Sequence, residues 1–177
     1  MLILPYQPLF YGNSMDTNDD GVLKVIAFTL QETATQNELL SPSNATLTRF
    51  HTLSPPKIHI LKYLRFLKEK TKSETSCFVM AMIYIDRLLS LHREITVTPT
   101  TVHKLFLTAL LIATKFHTDI YFTNSLWASC GGVRMEEMNI LECEFLFLIQ
   151  FSLVISQEDY NRYVSLLGEK AKLPIFS

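Results

Sequence analysis

The stretch that decides the fold is Thr101-Val-His-Lys-Leu-Phe-Leu-Thr-Ala-Leu-Leu-Ile-Ala-Thr-Lys-Phe116. Between Leu105 and Ala113 its one polar residue is Thr108, whose hydroxyl is able to bond back to its own helix. Thr98 ahead of it reads as an N-cap and Pro99 as the first helical position, so the pattern predicts a helix buried nearly all round. The apolar run falls short of the ~20 residues a bilayer span needs. Lys104, Thr108, Leu111 and Lys115 step by three or four and share one stripe, expected to be the narrow strip that escapes burial. Other helices must then wrap this one, and its last turn delivers Lys115 to the surface.

Around that helix stands a chain of 177 residues, enough for one domain with a substantial core. Apolar residues make up 48% and charged residues 19%, which excludes a disordered chain. The net charge is −1, so neither nucleic acid nor an anionic membrane is expected as the main partner. Three widely spaced cysteines, Cys77, Cys130 and Cys143, form no CxxC and read as reduced, mostly buried thiols of an intracellular protein, in cytoplasm or nucleus. The first residues carry prolines and no positive region, so no secretory signal is expected.

Reading in order, residues 1–19 form an extended arm, and 20–45 a helix of about 20–37 followed by a Ser/Pro/Asn linker. Ser54-Pro-Pro-Lys57 opens a helix of about 56–71, with Lys62, Arg65, Glu69 and Lys72 outward and Arg65 set to pair with Glu69. A second all-round apolar helix runs over 74–92, which rules out a simple amphipathic bundle. After a loop over 116–123, Asn124 is expected to cap a short helix that stops at Gly131-Gly132. Met135, Met138, Leu141, Phe145 and Leu148 then mark a helix of about 134–150. Ser156-Gln-Glu-Asp159 caps a last one of about 157–169, ending at Gly168. The expectation is an all-α fold with five helices in the core and one on each side.

No catalytic set emerges. The five histidines lack metal-ligand spacing, Gly131-Gly132 lacks the Lys-Ser/Thr of a phosphate loop, and Cys130 has no base nearby in sequence, so no cofactor and no metal are expected. The basic run Lys57 to Lys72 reads as a solvated face. Lys115 suits the C-terminal pole of its helix, and Glu142 borders the Met138–Phe145 seam. On spacing alone these two need do no more than balance a dipole and form a local ion pair.

Taken together the motifs resemble a cyclin box of the phosphate-pathway (PHO-type, plant P/U-type) kind. Thr48-Arg-Phe-His51 followed by Ser54-Pro-Pro-Lys-Ile-His-Ile-Leu-Lys-Tyr-Leu64 is similar to the opening of those cyclins. Cys77 to Arg87 resembles the second box helix, Ala113-Thr-Lys115 the end of the third, and Gly131 to Glu142, leading to Phe145-Leu146, the closing segment. The resemblance implies a single five-helix cyclin box over 46–155, with a C-terminal helix and tail over 156–177. It implies no enzyme but a regulatory subunit that binds and activates a cyclin-dependent Ser/Thr protein kinase, in the cell cycle or in phosphate signalling. Lys115 and Glu142 would face the kinase, and Asp119 would pair with a kinase arginine. Asp86, Arg87, Gly131, Gly132 and Asn139 would be structural to the box. The rival reading is a cyclin-box scaffold with no kinase partner.

Three departures from the family pattern qualify that expectation. Phe66 stands where members carry an arginine able to pair with Asp86, and Arg65 lies about 100° round the helix from it. The corresponding helix lacks the Met-Arg-Ala-Ile-Leu substrate-docking patch of cell-cycle cyclins, and a single box without a second one is expected. Kinase substrates would then have to reach the complex through another surface.

Overall fold

The computed structural model describes residues 19–40, 47–119 and 122–172. The residues expected as an N-terminal arm, most of the linker and the end of the tail lie outside that set. Among the described residues there are seven helices and no strand: α1 Asp19–Leu40, α2 Ile60–Thr71, α3 Thr75–Leu91, α4 Val102–His117, α5 Asn124–Gly131, α6 Met135–Leu148 and α7 Gln157–Ala171. None of these is long and apolar enough to cross a membrane.

α4 is the central rod. Every residue from Leu105 to Thr114 is buried, and the Thr108 hydroxyl donates to the Lys104 carbonyl at 2.8 Å. α3 packs along it, with α5 and α6 closing other sides. Beneath the apolar contacts a hydroxyl chain runs Thr71–Ser73–Thr114, at 2.7 and 2.9 Å, so the buried oxygens satisfy one another. α1 lies across α2 and also meets α3 and α7. Asp20 accepts from Arg65 at 2.7 and 2.9 Å, and Asp19 pairs with Lys68 at 2.9 Å. These partners hold both carboxyls below the usual carboxylate range: hydrogen bonds from Thr75 and Lys68 act on Asp19, and one from Arg65 on Asp20.

Several expectations are corrected. The stripe on α4 is not exposed: Thr108 and Leu111 are 0% accessible, because α6 is joined to both ends of it through Lys104–Glu137 at 2.7 Å and Lys115–Glu142 at 2.8 Å. Arg65 turns to Asp20 rather than Glu69, since a carboxylate on a neighbouring helix offers bidentate geometry. α2 starts at Ile60, not 56, because the loop before it is tied to the start of α4: Thr52 N–H reaches the Thr100 carbonyl and the Ile58 carbonyl binds His103. The same pull on the Thr100 carbonyl keeps 98–101 a turn, so α4 proper begins at Val102 and its N-cap is Thr101. Gly168 lies inside α7, which runs on to Ala171, although its start is as expected, with Ser156 Oγ accepting the Asp159 N–H at 3.0 Å. The free cysteines are mostly buried, as expected: Cys77 and Cys130 are inside and Cys143 is exposed. Burial pushes the Cys77 and Cys130 thiols up.

Candidate functional site

Lys115 stands on the last turn of α4, where a cation suits the helix dipole. Glu142 lies midway along α6. The Lys115 ammonium contacts Glu142 Oε1 at 2.8 Å and Oε2 at 3.0 Å, with the side chains 34% and 16% exposed. The pair is therefore neither sealed in the interior nor loose on the surface. Asn124 does not cap its helix. The N-cap of α5 is Thr123, and the Asn124 amide crosses to α6, donating to Glu142 Oε2 and to Asn139 Oδ1, each at 2.7 Å. Lys115, Glu142 and Asn139 are thus gathered in one network by a residue expected elsewhere. Asp119 is exposed just past the end of α4, near Lys115 in sequence but bonded to no member of the network.

The two glycines fix where α5 hands over to α6. Gly132 takes φ +64°, the left-handed turn that ends α5. Gly131 is a glycine for a different reason: a Cβ there would collide with Leu107 Cδ2 of α4. The turn they make returns the chain as α6, whose buried residues are only Met138, Leu141 and Phe145.

Much of α6 is apolar yet uncovered. Ile140 and Phe147 are 45% and 69% exposed, and Phe116, next to Lys115, 48%. Past α6, Gln150 and Phe151 both adopt positive φ, 54° and 53°, an uncommon pairing for non-glycine residues that costs of order 1–3 kcal/mol each. The turn leaves Phe151 exposed, with its ring edge-on to Phe147 at 5.1 Å. The following strap is fastened to α3. Arg87 donates to the carbonyls of Ser152 and Val154 at 2.6 and 3.0 Å, and Tyr84 Oη to that of Leu153 at 2.7 Å. His117 Nε2 meets the same Tyr84 oxygen at 2.8 Å. Asp86 lies beside Arg87, half-buried on α3. Sequence reading gave Asn124 only a capping role and missed the exposed aromatics. A signal was present for the latter, since Ile140, Cys143 and Phe147 form a second apolar line off the Met138–Phe145 seam.

Recesses are small: one of about 240 Å³ includes Pro55, Pro56, Ile58 and His103 in its lining, and one of about 300 Å³ includes Arg49, Arg134 and Glu137. Burial holds the His103 imidazole below its ordinary value, with the Ile58 carbonyl opposing. No nucleophile–base pair lines either recess.

The chain's similarities agree with this geometry. The cyclin family model matches residues 22–153. The chain is 33% identical over 162 residues to Cyclin-U4-1 of Arabidopsis thaliana, covering 88% of this chain and 80% of that one. It is 33% identical over 152 residues to Cyclin-P4-1 of Oryza sativa subsp. japonica, covering 82% and 72%. A shorter match, 39% over 108 residues, is to the Nuc-1 negative regulatory protein preg of Neurospora crassa, covering 61% of this chain and 22% of that protein. With an all-helical architecture built round a buried rod, and relatives of the plant U and P types, the chain belongs to the cyclin family and has that family's regulatory role.

Proposed function

We propose that this chain is the regulatory subunit of a cyclin-dependent Ser/Thr protein kinase, which it binds and activates. The observation that carries the reading is the half-open Lys115–Glu142 pair at the α4–α6 edge. Exposed aromatics accompany it: Phe116 beside Lys115 in the chain, Phe147 on the helix of Glu142, and Phe151 against Phe147. Charged groups that share their helices with uncovered aromatics suit a protein interface: orientation from the charges, affinity from the desolvated rings. Lys115 spends at most two of its three N–H groups on Glu142, so one is left for a carbonyl or carboxylate of the kinase. Asp119, exposed past α4, would be the partner of a kinase arginine.

Activation follows from differential binding. Kinase catalysis requires the β3 lysine–αC glutamate pair to be formed before the ATP phosphates are placed. A rigid face that fits only the active position of that mobile helix shifts the kinase toward it; moving an equilibrium from 1:99 to 99:1 takes about 5.5 kcal/mol of preference. The rods α3 and α4 supply the rigidity. The complex acts inside the cell, where kinase and ATP are found, in the cell cycle or in phosphate signalling. Purification of the chain with its bound proteins, followed by assay of histone or peptide phosphorylation, tests the reading. Recovery of a kinase whose activity depends on the chain supports it. Recovery of other proteins with no kinase supports the scaffold reading instead.

A further inference from the structure

We propose that Asn124 is a positioning residue for the Lys115–Glu142 pair, holding the Glu142 carboxylate from α5 while Lys115 holds it from α4. The proposal rests on the kinase-binding reading of that pair. Its physical basis is the orientation of one amide. Glu142, as a carboxylate, offers only acceptors, so the group of Asn124 that faces it at 2.7 Å has to be the NH₂. The second N–H goes to Asn139 Oδ1, also at 2.7 Å. Both hydrogens of the amide are thereby committed to α6.

This orientation carries a local cost. It turns Asn124 Oδ1 inward, where it is buried with no hydrogen-bond partner among the described residues. The same side chain, placed one residue earlier, would have capped α5, and Thr123 at that position makes no side-chain cap bond. The fold thus leaves an orphaned oxygen and an uncapped helix while aiming two donors at Glu142 and Asn139. Buried unsatisfied atoms are rare in native proteins and gather where another demand outweighs stability. Here the demand is a fixed carboxylate: Lys115 reaches it from α4 and Asn124 from α5, with Asn139 of α6 steadying the amide, so Glu142 is ordered before any kinase docks. Pre-ordering spares the cost of immobilising that side chain on binding, roughly a three- to tenfold gain in affinity.

The test has two readouts. In the isolated chain, the Asn124 side-chain amide resonances are followed by NMR through acid titration alongside the Glu142 carboxyl carbon. They should shift with the Glu142 titration and lose that step in Glu142→Gln. Amide signals that ignore the Glu142 titration overturn the proposal, an outcome read on the wild-type chain alone. The second readout uses the cyclin-dependent kinase recovered with the wild-type chain, expressed separately and purified. Asn124→Ala should bind it three- to tenfold more weakly at nearly unchanged Tm, and the isosteric Asn124→Asp, which sets a second carboxylate against Glu142, more weakly still. Wild-type affinity in Asn124→Ala, while charge reversal of Lys115 or Glu142 abolishes binding, overturns the positioning role. If those reversals also leave binding intact, or no kinase is recovered, the kinase reading falls and the titration alone decides whether Asn124 orders Glu142.

Discussion

Lys115 and Glu142 are 27 positions apart in the chain, yet the ammonium of one lies 2.8 Å from the carboxylate of the other. The contact joins the central rod to the most exposed of the helices packed on it, and it does so at the rim rather than in the core. A pair in that position adds little to stability, because solvent screens it and the side chains lose freedom to make it. Its value has to lie in what it presents.

That argument makes the pair separable from folding. Lys115→Glu and Glu142→Lys, made singly, should each abolish co-purification of the kinase. Stability should fall by no more than about 1 kcal/mol, a Tm change below ~4 °C for a chain of this size. Thermal melts beside pull-downs check this; normal kinase binding in both variants would remove these residues from the interface.

The exposed rings should behave the same way for a different reason. Phe147 and Phe151 are 69% and 56% accessible, so replacing either with Ser removes little buried surface from the fold. Loss of a buried anchor from an interface typically costs about 2 kcal/mol or more in binding, some thirtyfold in Kd. Calorimetric titration with the kinase measures it, and a more soluble isolated chain is expected as well.

Gly131 and Gly132 should fail differently when changed to Ala. Gly131→Ala forces a methyl against Leu107, which is fully buried, and should cost about 1–3 kcal/mol by overpacking. Gly132→Ala meets open space, so its penalty is the left-handed backbone alone, about 1–2 kcal/mol. Urea denaturation distinguishes the two: Leu107→Ala should relieve Gly131→Ala and leave Gly132→Ala additive.

Stability should also weaken on mild acidification. Burial lowers the imidazole of His103 from its ordinary 6.5, and burial with Arg87 nearby lowers that of His117 against the pull of the Leu153 carbonyl. The unfolded chain therefore takes up these protons first. The stabilisation is complete above about pH 6.5 and is lost as the pH falls through the lower folded values. Burial, which penalises the charged imidazole, is the physical root of the effect, and the buried Nδ1 of His103 has no hydrogen-bond partner among the described residues. Melting curves from pH 7.5 to 5 should show the decline, and His103→Gln with His117→Gln should flatten it. The Asp19 and Asp20 carboxyls, also lowered, act separately, in the range below about pH 4.

How much of the fold and the site is legible in the sequence differs between elements. The unbroken apolar run from Leu105 to Ala113 can only be satisfied by burial on every side, so the central rod and an all-helical wrap around it follow from composition and period. Ser156 with Asp159 N–H three residues on is a local bond, and it formed where local chemistry placed it. Local rules failed where a distant group outbid them. Thr52 drew the Thr100 carbonyl out of the first turn of α4, Asp20 took Arg65 from Glu69, and Glu142 drew the Asn124 side chain away from capping α5.

The sequence by itself determined the helices and the rod they enclose, because both depend on burial periodicity and on turn residues that act over three or four positions. Only the tertiary structure decided which charges meet. Spacing within one helix says nothing about the angle at which α6 crosses α4, and that crossing buries Thr108 and Leu111 while leaving Lys115 at the open edge beside Glu142. Side-chain partnership depends on distances across the chain, and those exist only once the core has set the helices in place.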